Sequence, residues 1–242
     1  MAERVAVVTG VSKGLGAALA ADLVGRHWDV VGIGRSATLT SPRFRLVHAD
    51  LGDSPALVPI VESLFAELAA RRPQAIAVLN NAAIAGPAGT VGDLEADAVS
   101  HSLHVNLLAP VLVADAFVRA FKRVPGDRRL VNVSSGAAVH AIAGAGVYCM
   151  AKAGLEMLTQ IVAAERAADG IVAITIRPGI IDTPMQAEIR AQTKERLPSL
   201  DMFRGFHESG QLVPPAVTAA RVVERLVLAP VENGHVYSYA EL

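Results

Sequence analysis

Tyr148 and Lys152 stand four positions apart in Tyr148-Cys149-Met150-Ala151-Lys152, so a helix here carries a phenol and an ammonium on one face. A free phenol titrates near pH ~10 and is a poor acid at neutral pH. A cation about 4 Å away, at an effective dielectric of about 20, contributes about 4 kcal/mol, or roughly three pKa units. That predicts a phenol tuned toward about 7, able to give and take a proton near neutrality. The pair alone arises by chance in many helices; its context lies elsewhere in the chain.

One piece of context is Thr9-Gly10-Val11-Ser12-Lys13-Gly14-Leu15-Gly16, directly after the apolar run Val5-Ala6-Val7-Val8 and before the helix formers of 17–24. Strand, glycine turn and helix make a dinucleotide cradle: the backbone can approach a pyrophosphate, and the helix start offers free N–H groups. The spacing is TGxxxGxG. A second piece is Arg129-Leu130-Val131-Asn132-Val133-Ser134-Ser135-Gly136, an apolar strand ending in hydroxyls. Ser135 lies 148 − 135 = 13 residues before Tyr148, so a strand-end serine and the next helix can converge at the carboxyl edge of a parallel sheet.

The elements needed to position these groups are visible in the pattern. Val5–Val8, Val30–Gly34, Phe44–His48, Ile76–Leu79, Leu130–Ser134 and Val172–Ile176 read as short buried strands. Helical patterns fall near 14–26, 54–71, 94–123, 148–168 and 215–228, with a last strand at Gly234–Tyr239. The alternation predicts an α/β fold: a single Rossmann-type domain over 1–242, a doubly wound parallel sheet of about seven strands with helices on both faces. The stretch 184–214 is less regular, with Pro198, Gly205 and Gly210, and reads as a substrate lid. No internal repeat or low-complexity segment interrupts the chain.

Composition agrees. A chain of 242 residues, 52% hydrophobic and 19% charged, suits one sheet buried on both faces. A net charge of −1 gives no footprint for nucleic acid. A single cysteine, Cys149, excludes an internal disulfide and suits a reducing compartment. Residues 1–10 read as strand and turn rather than as a leader, and no uninterrupted apolar run reaches bilayer length. The expectation is a soluble cytoplasmic protein with no membrane partner.

With these motifs the chain resembles the short-chain dehydrogenase/reductase family. The resemblance rests on TGVSKGLG at 9–16, Asp50-Leu51, Asn80-Asn81-Ala82-Ala83, Asn106, Ser135, Tyr148/Lys152 and Arg177-Pro178-Gly179-Ile180-Ile181-Asp182-Thr183. Ala83 stands where the family usually has glycine. The resemblance implies cofactor contacts by Gly10, Ser12, Lys13, Gly14, Leu15 and Gly16 in the loop. It places Asp50 and Leu51 at the adenine, Asn80, Asn81 and Ala82 beside the ribose, and Ile181 and Thr183 on the nicotinamide carboxamide. Pro178-Gly179 lets the ring lie against backbone, and Lys152 also grips the nicotinamide ribose. Thr9 and Asn81 can equally serve to tie strand ends together.

In a reductase of this kind hydride reaches a carbonyl carbon, Tyr148 protonates the oxygen and Ser135 donates a hydrogen bond to it. Asn106 matches the family's helical asparagine, which binds a water and relays protons to the lysine. NAD selectivity needs a carboxylate after the second strand, where this chain has Gly34-Arg35-Ser36. Arg35, with Ser12 and Lys13, suits a 2′-phosphate, so the expected cofactor is NADP(H).

The remaining groups receive plainer readings. His101 and His104 have no third ligand, so no metal is expected. Cys149 should point off the catalytic face, Ser134 is structural, and Glu156 and Glu165 read as solvated helix surface. The tail His235-Val236-Tyr237, with 181–186 and 207–213, is similar to the sepiapterin reductase and benzil reductase branch of the family. There Tyr237 takes the place of a pterin-anchoring aspartate, so an apolar diketone, another ketone or an aldehyde is the expected small-molecule substrate. A 3-oxoacyl reductase or other alcohol dehydrogenase of the same family, and a non-catalytic NADP(H)-binding sensor, are the alternatives. Family members pair through the helices holding Asn106 and Tyr148, implying a homodimer or homotetramer.

Overall fold

A computed structural model describes residues 3–242 of the chain. Those residues build a seven-stranded sheet, all parallel, from β1 (Arg4–Thr9), β2 (Asp29–Gly34), β3 (Phe44–His48), β4 (Ala75–Asn80), β5 (Asp127–Val133), β6 (Ile171–Arg177) and β7 (Val236–Ser238). The spatial order is β3-β2-β1-β4-β5-β6-β7. Chain order reverses between β1 and β4, which opens a crevice at their carboxyl ends where such sheets bind ligands. The doubly wound fold class expected from the alternation is the one observed.

Alternation within each strand sends neighbours to opposite faces. Val5, Val7, Ile76, Val78 and Leu130 pack with α2 (Ser54–Ala70), α4 (Ala109–Phe121) and α5 (Gly146–Arg166). Phe65, Phe117 and Phe121 fill that layer, with ring centroids 5.4 to 6.5 Å apart. Ala6, Val8, Leu79, Val131 and Ile174 face the other way, onto α1 (Gly14–Gly25) and α8 (Pro215–Val222). Burying a residue such as Phe65 or Leu19 contributes about 1.5–3 kcal/mol.

The long helical pattern expected over 94–123 is one run with a defect. α3 (Ala96–Leu103) passes into a π-helical turn at His104–Leu108 before α4. The widened turn admits one residue more than an α-turn, so α3 and α4 present different faces inward. Asn106 sits in it, fully buried. The whole run Ala96–Phe121 has 26 residues and a window of mean hydropathy 1.4, long and apolar enough by composition to cross a bilayer. Half of that window is buried against the rest of the protein, as a core helix requires.

The segment read as an irregular lid folds into α6 (Pro184–Arg190) and α7 (Leu200–Glu208). Its neck is closed by backbone bonds from Asp182 N to Val213 O (2.9 Å) and from Val213 N to Ile180 O (2.8 Å). Leu197 and Leu200 are buried and anchor its far end, whereas α6 buries no residue.

Candidate active site

The glycine turn lies in the crevice and needs its glycines for stated reasons. Gly10 has φ +74°, and a Cβ there would meet Ala82 at 2.8 Å. A Cβ on Gly16 would collide with Gly10 O and Asn81 Nδ2. Side chains cannot fill this cradle, and the start of α1 opens into it, which fits a phosphate-bearing cofactor. Thr9 and Asn81 brace the crevice. Thr9 Oγ1 accepts from Asn81 N and Ala82 N, both at 3.0 Å, and Asn81 Nδ2 donates to Thr9 O at 2.9 Å. The strand-tying role is therefore real, and Asn81 also lines the crevice.

From this turn a cleft of about 640 Å³ runs toward α5, within the range of ligand sites. Gly10, Ser12, Lys13, Gly14, Leu15, Gly16, Arg35, Asp50, Leu51, Asn81 and Ala82 line it. So do Ser135, Tyr148, Lys152, Pro178, Gly179, Ile181 and Thr183. Thus most residues expected at the site meet in one groove.

At the catalytic end, Ser135 follows β5 and caps a short turn, its Oγ accepting from Ala137 N at 3.2 Å. Lys152 is 2% exposed, its Nζ donating to Val133 O at 2.8 Å and lying 5.6 Å from the Tyr148 ring centroid. Burial lowers the Lys152 ammonium to about 8. Burial also pushes the Tyr148 phenol up to about 12, while a hydrogen bond with Ser135 pulls it down and Cys149 pushes it further up. This corrects the expected phenol near 7. Desolvation of the phenolate outweighs the ammonium, which is held by a carbonyl rather than by the hydroxyl. In the protein alone Tyr148 keeps its proton and is poised as a donor.

Two expected site residues lie behind the groove. Asn80 is 2% exposed, and its Nδ2 donates to Asn132 Oδ1 at 2.9 Å and to Pro110 O at 3.3 Å. It holds β4 to β5 and α4 rather than bordering a ribose. Asn106 spends its amide on the loop after β4: Oδ1 accepts from Ile84 N and Nδ2 donates to Ile84 O, both at 2.9 Å. Nδ2 also donates to Ser102 Oγ at 3.1 Å. Its side chain clamps the loop after β4, and both ends of the amide have protein partners.

Glu156 is not solvated surface. It is 7% exposed, accepts from Ser134 Oγ at 2.8 Å, and takes two bonds from Arg177, Nε at 2.8 Å and Nη2 at 2.7 Å. The sequence hinted at this pairing only through Glu156 falling one helical turn after Lys152, on the same inward face. Ser134 is structural as expected, and Glu165 is exposed. Cys149 is half-buried and does not line the cleft.

The cationic end also differs from a bare phosphate site. Lys13 Nζ contacts Glu188 Oε1 of α6 at 3.1 Å, and Arg35 lies 3.9 Å from Asp50. Residues given no cofactor or substrate role in the sequence reading complete the walls. His101 packs on Gly52 beside Asp50, and Ile84, Ile142, Met185, Ile189, Leu197 and Phe203 make the substrate end apolar. In the tail, Tyr237 turns its hydroxyl to Glu232 N at 2.9 Å and does not line the cleft. Tyr239 instead backs Gly179.

Comparison with known proteins agrees with this geometry. The family model for short chain dehydrogenase matches residues 4–194. Benzil reductase ((S)-benzoin forming) of Bacillus subtilis is 32% identical over 238 residues, covering 97% of this chain and 98% of that protein. Sepiapterin reductase of Bos taurus is 28% identical, covering 83% and 76%. The crystal structure of the KRED1-Pglu enzyme superposes with a TM-score of 0.85 at 27% identity, covering 97% of this chain and 100% of that one.

Proposed function

The chain belongs to the short-chain dehydrogenase family, and from that premise we propose that it is an NADPH-dependent carbonyl reductase acting on apolar ketones, vicinal dicarbonyls of the benzil type first among them. The observation that carries the reading is a groove with Ser135, Tyr148 and Lys152 at one point and an apolar wall of Ile142, Met185, Ile189, Leu197 and Phe203 beside them. Bound nicotinamide would supply the hydride for the carbonyl carbon. The protein supplies the rest. Tyr148 delivers its hydroxyl proton to the carbonyl oxygen as negative charge builds there, and Ser135 donates a hydrogen bond to the same atom. Lys152, fixed by Val133 O, keeps a positive field under the phenol and offsets the phenolate left behind.

The glycine cradle fits a dinucleotide, whose nicotinamide would lie against Pro178, Gly179, Ile181 and Thr183 and whose adenine would lie against Asp50 and Leu51, all of which line the cleft. Arg35, Ser36, Ser12 and Lys13 all line the cleft and could hold a 2′-phosphate, and the residue after β2 is no carboxylate, which supports NADPH. The full-length match to benzil reductase supports the diketone reading. The turned-away Tyr237 leaves no tail carboxylate for a pterin, which argues against that substrate. Following NADPH absorbance loss across benzil, simple aryl ketones, sepiapterin and acyl-carrier thioesters tests the reading. Benzil should give the highest kcat/KM; turnover of the thioesters alone would select a 3-oxoacyl reductase.

The same reading makes the protein a cytoplasmic homodimer or homotetramer with no membrane or nucleic-acid partner. Met150, Met157 and Ile161 form an exposed apolar stripe on α5, beside a groove lined by Leu103, Leu107, Leu108 and Val111. Light scattering on the purified protein checks the assembly.

A further inference from the structure

Among the described residues, Glu188 is the acid in the cleft that reaches the glycine loop from the lid, which bears on cofactor choice. We propose that Glu188 occupies Lys13 in place of a 2′-phosphate, so that a phosphorylated dinucleotide takes Lys13 away from it and loosens α6, whereas an unphosphorylated one leaves the latch shut. The inference rests on the NADPH reading and adds to it a residue and a coupling.

Lys13 Nζ and Glu188 Oε1 are 3.1 Å apart although 175 positions separate them in sequence. Both side chains are more than half exposed, 61% and 58%, so the pair is weak and exchangeable. A phosphate dianion competes well for such an ammonium, through charge-assisted bonds to more than one oxygen. The second cation at this end differs in kind. Arg35 has its acid, Asp50, on the loop after β3, where Asp50 also accepts from Gly52 N at 2.8 Å. That acid is tied to its own loop. Glu188 rides on α6, which buries no residue and touches the glycine turn at its start, where Thr183 lies against Gly14. Loss of Lys13 therefore leaves Glu188 facing a like-charged phosphate on the element of the cleft least able to resist displacement.

Adenosine 2′,5′-bisphosphate and adenosine 5′-monophosphate isolate the phosphate from the nicotinamide and from all carbonyl chemistry. Calorimetric affinities should give a bisphosphate-to-monophosphate ratio that rises about two- to fivefold in Glu188→Gln and more than about tenfold in Glu188→Lys. In the wild-type protein, amide exchange over 184–190 should quicken with the bisphosphate and not with the monophosphate. A ratio unchanged in both variants, or α6 exchange that responds alike to the two nucleotides, overturns the latch. If the wild-type protein binds the two nucleotides equally, the NADPH reading fails and the latch falls with it. A clear wild-type preference with no response to Glu188 removes the latch alone.

Discussion

The two walls of the cleft are held by different means. On the sheet side, buried Ser134 and Glu156 form a charge-assisted cluster with the half-buried Arg177, next in sequence to Ser135 and Pro178. Next to it a chain of buried amides and hydroxyls runs Asn80, Asn132, Thr159, Thr175 with contacts of 2.7 to 2.9 Å, leaving Asn80 Oδ1 as its loose end. On the lid side α6 is held by the exposed Lys13–Glu188 pair, and two of its polar atoms, Gln186 Oε1 and Arg190 Nη1, are buried without a partner among the described residues. On the proposed reading, chemistry would rest on the strand ends and on α5, where sub-ångström placement matters, while selection would rest on a segment that buries no residue.

The comparison breaks first at Tyr148. Tyr148→Phe removes the proton donor and leaves the cleft's shape, so kcat should fall by about 10²–10⁴ with NADPH affinity still measurable by fluorescence titration. Wild-type-like kcat in that variant would move the chemistry elsewhere. Next comes the floor itself. Glu156→Ala strands Arg177 beside Ser134 and should lower unfolding stability by about 3 kcal/mol, the lower end for a broken buried pair because Arg177 keeps some solvent contact. The double variant Glu156→Leu/Arg177→Met should recover most of that loss. A single-variant loss under about 1 kcal/mol in urea denaturation would deny the floor its rigidity.

A pH series sharpens the electrostatics. Lys152 has a folded pKa of about 8, below the ordinary 10.5, so the folded state binds fewer protons than the unfolded one across that window. Its contribution to stability therefore rises with pH between these values. Tyr148, raised from 10 to about 12, acts oppositely, and its contribution falls over its own higher window. Between pH 8 and 9.5 the denaturation midpoint of the wild-type protein should drift upward relative to Lys152→Met. Over the same range kcat/KM for the cofactor should decline toward about tenfold per unit as the ammonium is lost. A flat profile to pH 9.5 would place Lys152 at an ordinary pKa.

Much of this was legible in the chain because local rules and global fold coincide. The strands lie within a few residues of the apolar runs, and the glycine turn, Ser135, Tyr148 and Lys152 converge as their spacing implies. What stayed hidden depends on partners far away in sequence. Glu156 looks like any helical acid until β6 brings Arg177 to it, and the loop contact of Asn106 is invisible until the π-helical turn aims its amide at Ile84. The Tyr148 pKa failed for a related reason: spacing gives the distance to a cation but not the depth of burial, and here burial wins.

The finest test of the two walls uses uncharged side chains. Gln186 lines the cleft with a buried, unpartnered Oε1, so its desolvation is uncompensated in the protein alone. Gln186→Leu should leave stability unchanged or raise it by up to about 1 kcal/mol, since an unsatisfied amide is exchanged for apolar contact with its surroundings. Ser134→Ala removes a smaller group yet deprives the Glu156 carboxylate of a 2.8 Å donor, and should cost about 1–2 kcal/mol. Urea midpoints on both variants decide between them. Equal destabilisation would mean that α6 is as tightly bound into the fold as the strand ends, and the division between a fixed floor and a yielding lid would be lost. A stable Gln186→Leu with a raised KM for benzil would instead assign the free amide to the substrate.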